Sequence, residues 1–154
     1  MKNILYTNAA GQRVNLVDYT KERIHTYQDT RVYIGTDSQS AGRYTHYATV
    51  VAFRRDARKG VHFVWHKTKI PCGIDHWSRL WKEVELTVDA AEYLKRELPS
   101  LKISYVELDF NGEKSTLSNK LVSSAKGWMQ GLGYNVLVKP DEQVACQAAD
   151  WLLR

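Results

Sequence analysis

Val32-Tyr33-Ile34-Gly35-Thr36-Asp37-Ser38-Gln39 runs β-favouring residues straight into a carboxylate, with a polar pair after it. Side chains alternate along a strand, so Val32, Ile34 and Thr36 share one face and Tyr33, Gly35 and Asp37 the other. Both faces are largely apolar, which predicts a central strand covered on each side. Asp37 then stands near the end of a core-type segment, where an ionised carboxylate without a partner is costly. A basic side chain or a bound metal is expected to meet it, and the stretch alone does not choose between them.

Working outward, the chain on the N-terminal side reads as a polar lead-in over 1–13 with room for one brief strand. A helix over 16–27 follows, capped by Asn15, with Leu16, Val17, Ile24 and Tyr27 near one face. On the C-terminal side, 43–55 alternates over a long strand, 54–60 is a charged turn, and 61–70 returns. Three consecutive strands with short polar connections predict an antiparallel meander. Pro71 breaks the pattern, and Asp75 or Ser78 can cap a long helix. In that helix Trp77, Leu80, Val84, Val88, Ala91 and Leu94 keep helical spacing as far as Pro99. A fourth strand over 101–108 ends at Asp109. A helix over 113–129, from Glu113 to the glycines at 131 and 133, comes next. A fifth strand over 134–138 and a last helix capped by Asp141 complete the order βββαβαβα, preceded by one extra helix. Helix-linked strands are expected to be parallel with right-handed crossovers. The expectation is one α/β domain over 1–154, with 1–30 as an N-terminal extension and a mixed five-stranded sheet flanked by helices.

Composition sets outer bounds. A chain of 154 residues, 44% hydrophobic and 25% charged, is of ordinary globular character and long enough to bury a core without staples. Cys72 and Cys146 are far apart and form no CxxC pair, so a disulfide framework is not expected and a reducing cytoplasm is the default. The first residues lack the apolar run of a signal peptide, and no stretch has membrane-spanning length. A net charge of +5 tilts the balance toward a polyanionic partner, with nucleic acid the first candidate. Arg54, Arg55, Arg58 and Lys59 gather at one turn, and Lys67 and Lys69 line the return strand near Trp65. Cations interleaved with aromatics suit a phosphate backbone, and a solvated turn guarding a sheet edge explains them equally well. The long hairpin and the tryptophans leave room for a dimer. Trp77 and Trp81 fit either the core or the wall of a cleft.

The chemistry is expected where strands end. If the strands of Asp37 and Asp109 are parallel neighbours, both carboxylates emerge at one edge of the sheet, where open α/β sheets bind ligands. Glu83 and Glu85 sit early in the long helix, and Asp150 lies in the last one. Mg²⁺ and Mn²⁺ prefer oxygen ligands, and two such ions can clamp the attacking and leaving oxygens of a phosphodiester. Other constellations fit less well. His66, Cys72 and His76 match no zinc-finger spacing, and no glycine-rich phosphate loop or GxSxG elbow is present.

The segments IGTDSQ (34–39), RLWKEVELTVDAA (79–91), ELDFN (107–111), KGWMQGLGY (126–134) and VKPDEQVACQAAD (138–150), in this order, resemble the ribonuclease H-like superfamily. The closer likeness is to the YkuK-type family of predicted ribonuclease H-related proteins, and it covers about residues 14 to 153. The resemblance implies a metal-dependent nuclease that leaves a 5′-phosphate, with two Mg²⁺ or Mn²⁺ ions held by Asp37, Glu83, Asp109 and Asp150. Asp37 would bridge the ions, and Asp109 would bind one and help place the water. Glu83 is preferred because it directly precedes the stripe Val84, Val88, Ala91, whereas Glu85 points roughly 160° away around the helix. Asp150 takes the fourth position, near a helix C-terminus that disfavours negative charge. Lys139-Pro140 stands where several relatives carry a catalytic histidine. That departure keeps open an alternative from another class, a non-catalytic nucleic-acid-binding module on the same fold. Hydrolysis of a small phosphate ester is a third reading.

Overall fold

The computed structural model describes residues 4–56, 60–73, 75–110 and 116–154; Arg58, Lys59, Asn111 and Glu113 lie outside them. In chain order the elements are β1 (Leu5–Thr7), β2 (Arg13–Asn15), α1 (Leu16–Thr26), β3 (Thr30–Ala41), β4 (Tyr44–Arg55), β5 (Val61–Pro71), α2 (His76–Glu97), β6 (Tyr105–Leu108), α3 (Thr116–Gly131), β7 (Val136–Val138) and α4 (Ala145–Leu153). The strands form one sheet in the order β2-β1-β5-β4-β3-β6-β7. The five strands read from the sequence are all there, and the lead-in adds two more. β1 and β2 pair with each other, and β1 joins the edge of β5 through Thr7↔Trp65. The sheet is therefore seven-stranded rather than five-stranded. Strands of three residues have too few positions to display a period.

β3 lies between an antiparallel and a parallel neighbour. It runs against β4 over its whole length, from Thr30↔Arg55 to Ala41↔Tyr44, and alongside β6 through Tyr33↔Tyr105 and Ile34↔Val106. Asp37 is thus inside β3, not at its end. Pairing to β4 continues for four residues beyond it, closed by a two-residue turn in which Gly42 takes φ 62°. The edge facing β6 is released much earlier, and that is where the chain diverges.

Alternation along β3 sorts two cores. Val32 and Ile34 pack with Val84, Val88, Ala91 and Leu94 of α2 and with Leu121 and Met129 of α3. On the other face Tyr33, with Ala48, Val50 and Ala52 of β4, packs on Ala145 and Ala149 of α4. At roughly 25 cal/mol per Å² of apolar surface, these two layers are the main driving force for the fold. The α2 layer is pinned by polar contacts as well, with Thr87 Oγ1 donating to Thr36 Oγ1 at 2.9 Å.

α1 and α2 begin as expected, with Asn15 accepting from the Asp18 N–H and Asp75 from the Ser78 N–H. α4 does not. Asp141 is not its cap: its carboxylate accepts from the Val138 N–H at 3.1 Å and closes the turn after β7. The N-cap is Val144, with no side-chain capping bond of its own. The buried N–H groups at the start of α4 are instead met from the sheet. Glu107 of β6 accepts from Val144 N–H (3.1 Å), Ala145 N–H (3.0 Å) and Cys146 N–H (2.9 Å). A carboxylate at a helix N-terminus is doubly favoured, by hydrogen bonding and by the helix dipole. Those three bonds oppose the burial that pushes the Glu107 carboxyl upward in pKa.

Candidate active site

The parallel register between β3 and β6 sets the geometry. From the pair Ile34↔Val106, three residues further on each strand reach Asp37 and Asp109, one in β3 and the other just past β6. Strand parity puts Asp37 with Tyr33 and Gly35 on the face that α4 covers, and the charge of Asp109 reaches its carboxyl. Asp150, in the second half of α4, approaches from that side.

Glu83 comes from the opposite face. α2 buries it to 5% exposure, and its carboxylate accepts a hydrogen bond from Ser38 Oγ, the residue after Asp37. Its second oxygen, Oε1, is buried with no hydrogen-bond partner among the described residues. Glu85 is turned away, with its carboxylate 3.8 Å from Lys82 Nζ at the surface. Arg79, one turn before Glu83, donates to Ser38 Oγ (2.9 Å), the Ser38 carbonyl (2.9 Å) and Ser40 Oγ (3.3 Å). It thereby fixes the backbone beside Asp37, and it forms no ion pair among the described residues.

The carboxylates feel one another. Burial pushes the Asp37 carboxyl up to about 6; the Ser38 N–H opposes this at 2.9 Å, and the charges of Asp109 and Asp150 add to it. Glu83 is pushed well above the ordinary carboxylate range, first by burial and then by Asp37 and Asp109, against the pull of Ser38 and Arg79. Raised acidic groups occur both at functional sites and in structural networks, as Glu107 does here.

A family model described as "Ribonuclease H-like" matches residues 14–153. The chain belongs to the ribonuclease H-like family. No curated protein sequence matches it. Among solved structures, one similar chain is the endonuclease V of Ciona intestinalis in complex with a 24mer DNA containing an inosine followed by a ribo-adenosine. The identity is 13% and the TM-score 0.45, over 81% of this chain and 55% of that one, so this chain spans about half the length of that neighbour.

Of the four residues expected from the ribonuclease H-like resemblance, Asp37, Glu83 and Asp109 are close enough for their charges to act on one another. Asp150 lies nearby but is half exposed and paired with Arg154 Nη2 at 2.7 Å. Asp109 is paired too, with Lys139 Nζ 2.6 Å from its Oδ1. That contact, with the Asp37 charge behind it, holds the Lys139 ammonium above its usual pKa. Among the described residues, no three acidic, histidine or cysteine side chains are grouped as a ready metal site. The donor set nevertheless fits a hard divalent cation: all four groups are carboxylates, Asp37 and Glu83 are in no ion pair among the described residues, and Glu83 Oε1 is buried without a donor.

Several neighbours were not singled out by the sequence. Arg79 gives no signal of its own, and Lys139 is marked only by standing where several relatives carry a catalytic histidine, not as a partner of Asp109. Glu107 reads as one polar position of a strand. Tyr47 pairs with Ser38 across β3–β4, and its buried hydroxyl, without a partner among the described residues, has its pKa raised by burial and then by Glu83. In the sequence it shows only as one alternating position of the long strand, with Thr49, Val51 and Phe53.

The basic residues separate into two groups. Arg54 and Arg55 pair with Glu142 (2.9 Å) and Asp29 (3.0 Å), and their guanidinium groups lie over Tyr33 and Tyr27. They stand at the end of the sheet away from Asp37, beside Arg31 at the start of β3. Lys67 lies level with Asp37, through Asp37↔Ala48 and Ala48↔Lys67, and Lys69 is two residues beyond. Trp77, Trp81 and Trp128 form a run of near-parallel indoles, with centroids 6.5 and 5.9 Å apart. The first two pack on the α2 core, and Trp128 is exposed. His66 lies against Tyr6, away from any cluster with Cys72 and His76.

Proposed function

We propose that this protein is a divalent-cation-dependent nuclease that hydrolyses phosphodiester bonds of DNA or RNA. The reading is carried by Asp37 and Asp109, each three residues past the Ile34↔Val106 pair of parallel β3 and β6, beside buried Glu83, whose second oxygen lacks any donor among the described residues. Mg²⁺ or Mn²⁺ bound there would polarise a phosphoryl oxygen and ease deprotonation of a water. The water oxygen adds to phosphorus, the bond from phosphorus to the 3′ oxygen breaks, and that oxygen takes up a proton, leaving a 5′-phosphate. Asp37 and Glu83 contribute the charge, Ser38 and Arg79 hold Glu83 and the strand in place, and Lys67 and Lys69 face the phosphate backbone. The free Cys72 and Cys146 fit a reducing compartment such as the cytoplasm.

One observation favours the second reading, a nucleic-acid-binding module without cleavage. Two of the four carboxylates are already neutralised by Lys139 and Arg154. Incubating wild type and Asp37→Asn with labelled single-stranded, double-stranded, hybrid and junction oligonucleotides in Mn²⁺ separates the two. Cleavage lost in the variant supports the nuclease. Oligonucleotide binding without cleavage, and without any Mn²⁺ uptake, supports the module.

A further inference from the structure

Four carboxylates surround the site, and the structure treats them in two ways. Asp109 is bonded to the Lys139 ammonium at 2.6 Å, with its side chain only 14% exposed, and Asp150 is bonded to Arg154 at 2.7 Å. Asp37 and Glu83 are in no ion pair among the described residues, and Arg79 spends its donors on Ser38 and Ser40. Three cations, Lys139, Arg154 and Arg79, stand against the four carboxylates, which leaves no negative charge for a second divalent ion. A second ion at Asp109 would have to share a carboxylate with an ammonium already in contact with it, and like charges at that separation repel strongly in a partly buried site.

We propose that Lys139 takes the place of a second metal ion: the site binds one divalent cation, at Asp37 and Glu83, and Lys139 supplies the other positive charge to the scissile phosphate. This rests on the nuclease reading above and revises the two ions expected from the sequence to one. Lysine is suited to the position because its ammonium is a compact point charge on a flexible stem. Lys139 follows β7 directly, and β7 is paired to β6 up to Leu108↔Val138, so the sheet itself delivers it to Asp109.

The test is calorimetric titration of MnCl₂ into the full chain, for wild type, Lys139→Gln and Lys139→Arg, with melting curves to establish that each variant is folded. Wild type and K139R are expected to bind one Mn²⁺ per chain and K139Q two, the second site appearing once the ammonium is gone. Two ions in wild type, or one in K139Q, would overturn the proposal while leaving the nuclease reading intact. No binding in any of the three overturns both. Should K139Q fail to fold, the wild-type stoichiometry decides alone.

Discussion

Gly35 of β3 lies so close beneath Cys146 of α4 that a Cβ added to it would stand 2.6 Å from the Cys146 Sγ. The same atom would be 3.2 Å from the Cys146 main-chain nitrogen and 3.3 Å from the Glu107 Cβ. Absence of a side chain is what lets the start of α4 reach the strand that carries Asp37. Gly35→Ala is expected to destabilise the protein by about 1–3 kcal/mol through overpacking. Cys146→Ala in the same chain should recover only part of this, since the backbone nitrogen stays. A double-mutant cycle by urea unfolding gives the coupling, and strict additivity would disprove the contact.

Glu107 is the larger stake. Its carboxylate is buried and receives three N–H groups. Glu107→Gln keeps one acceptor oxygen but turns an NH₂ toward donors. A loss of about 2–4 kcal/mol is expected, because buried partners are left unsatisfied. The check is the midpoint of urea unfolding at pH 7, and an unchanged midpoint would mean the cap is dispensable.

Asp37 works against stability at neutral pH. Its folded pKa of about 6 lies above the ordinary 3.8, so the folded state holds the proton more tightly. The stability this gives is full below about pH 4 and is lost as pH rises through 6. Asp37→Asn is therefore expected to stabilise the protein at pH 7.5 by about 1–2 kcal/mol, after discounting for partial exposure, with the difference vanishing near pH 4. Mn²⁺ should raise the melting temperature of wild type and leave the variant's unmoved. Melting curves across pH and metal report both effects, and a variant no more stable than wild type at pH 7.5 would refute the first.

For nucleic-acid affinity, position along the sheet matters more than the number of charges. Lys67→Ala, level with Asp37, is expected to weaken oligonucleotide binding and reduce its salt dependence by about one ion. Arg55→Ala, at the far end and paired with Asp29, should change neither. Fluorescence anisotropy at several salt concentrations distinguishes them, and equal slopes would show that the nucleic acid lies elsewhere.

The legible parts of this molecule were those written in period and order. Alternation around Asp37 predicted a strand covered on both faces, and the stripe Val84, Val88, Ala91 placed Glu83 inward and Glu85 outward, as the structure has them. That both carboxylates share one edge of the sheet depended on their strands being parallel neighbours, and β3 and β6 are paired in parallel. What escaped are relations between a side chain and a distant main chain. Glu107 occupies an alternating strand position like any other, and its partners are N–H groups 37 to 39 residues away. Asp141 looked like a cap because local sequence favours it there, but a residue from the sheet fills that role first. Lys139 gives no local sign of meeting Asp109, since β6–β7 pairing alone brings them together.

Because the donors that satisfy Glu107 all belong to residues 144–146, the sheet cannot be finished without α4. In a nascent chain still short of Val144 the Glu107 carboxylate stays hydrated on an uncovered face of the sheet. The helix that caps this carboxylate is also the one that carries Asp150, so closing that face of the sheet and completing the acidic set are one event.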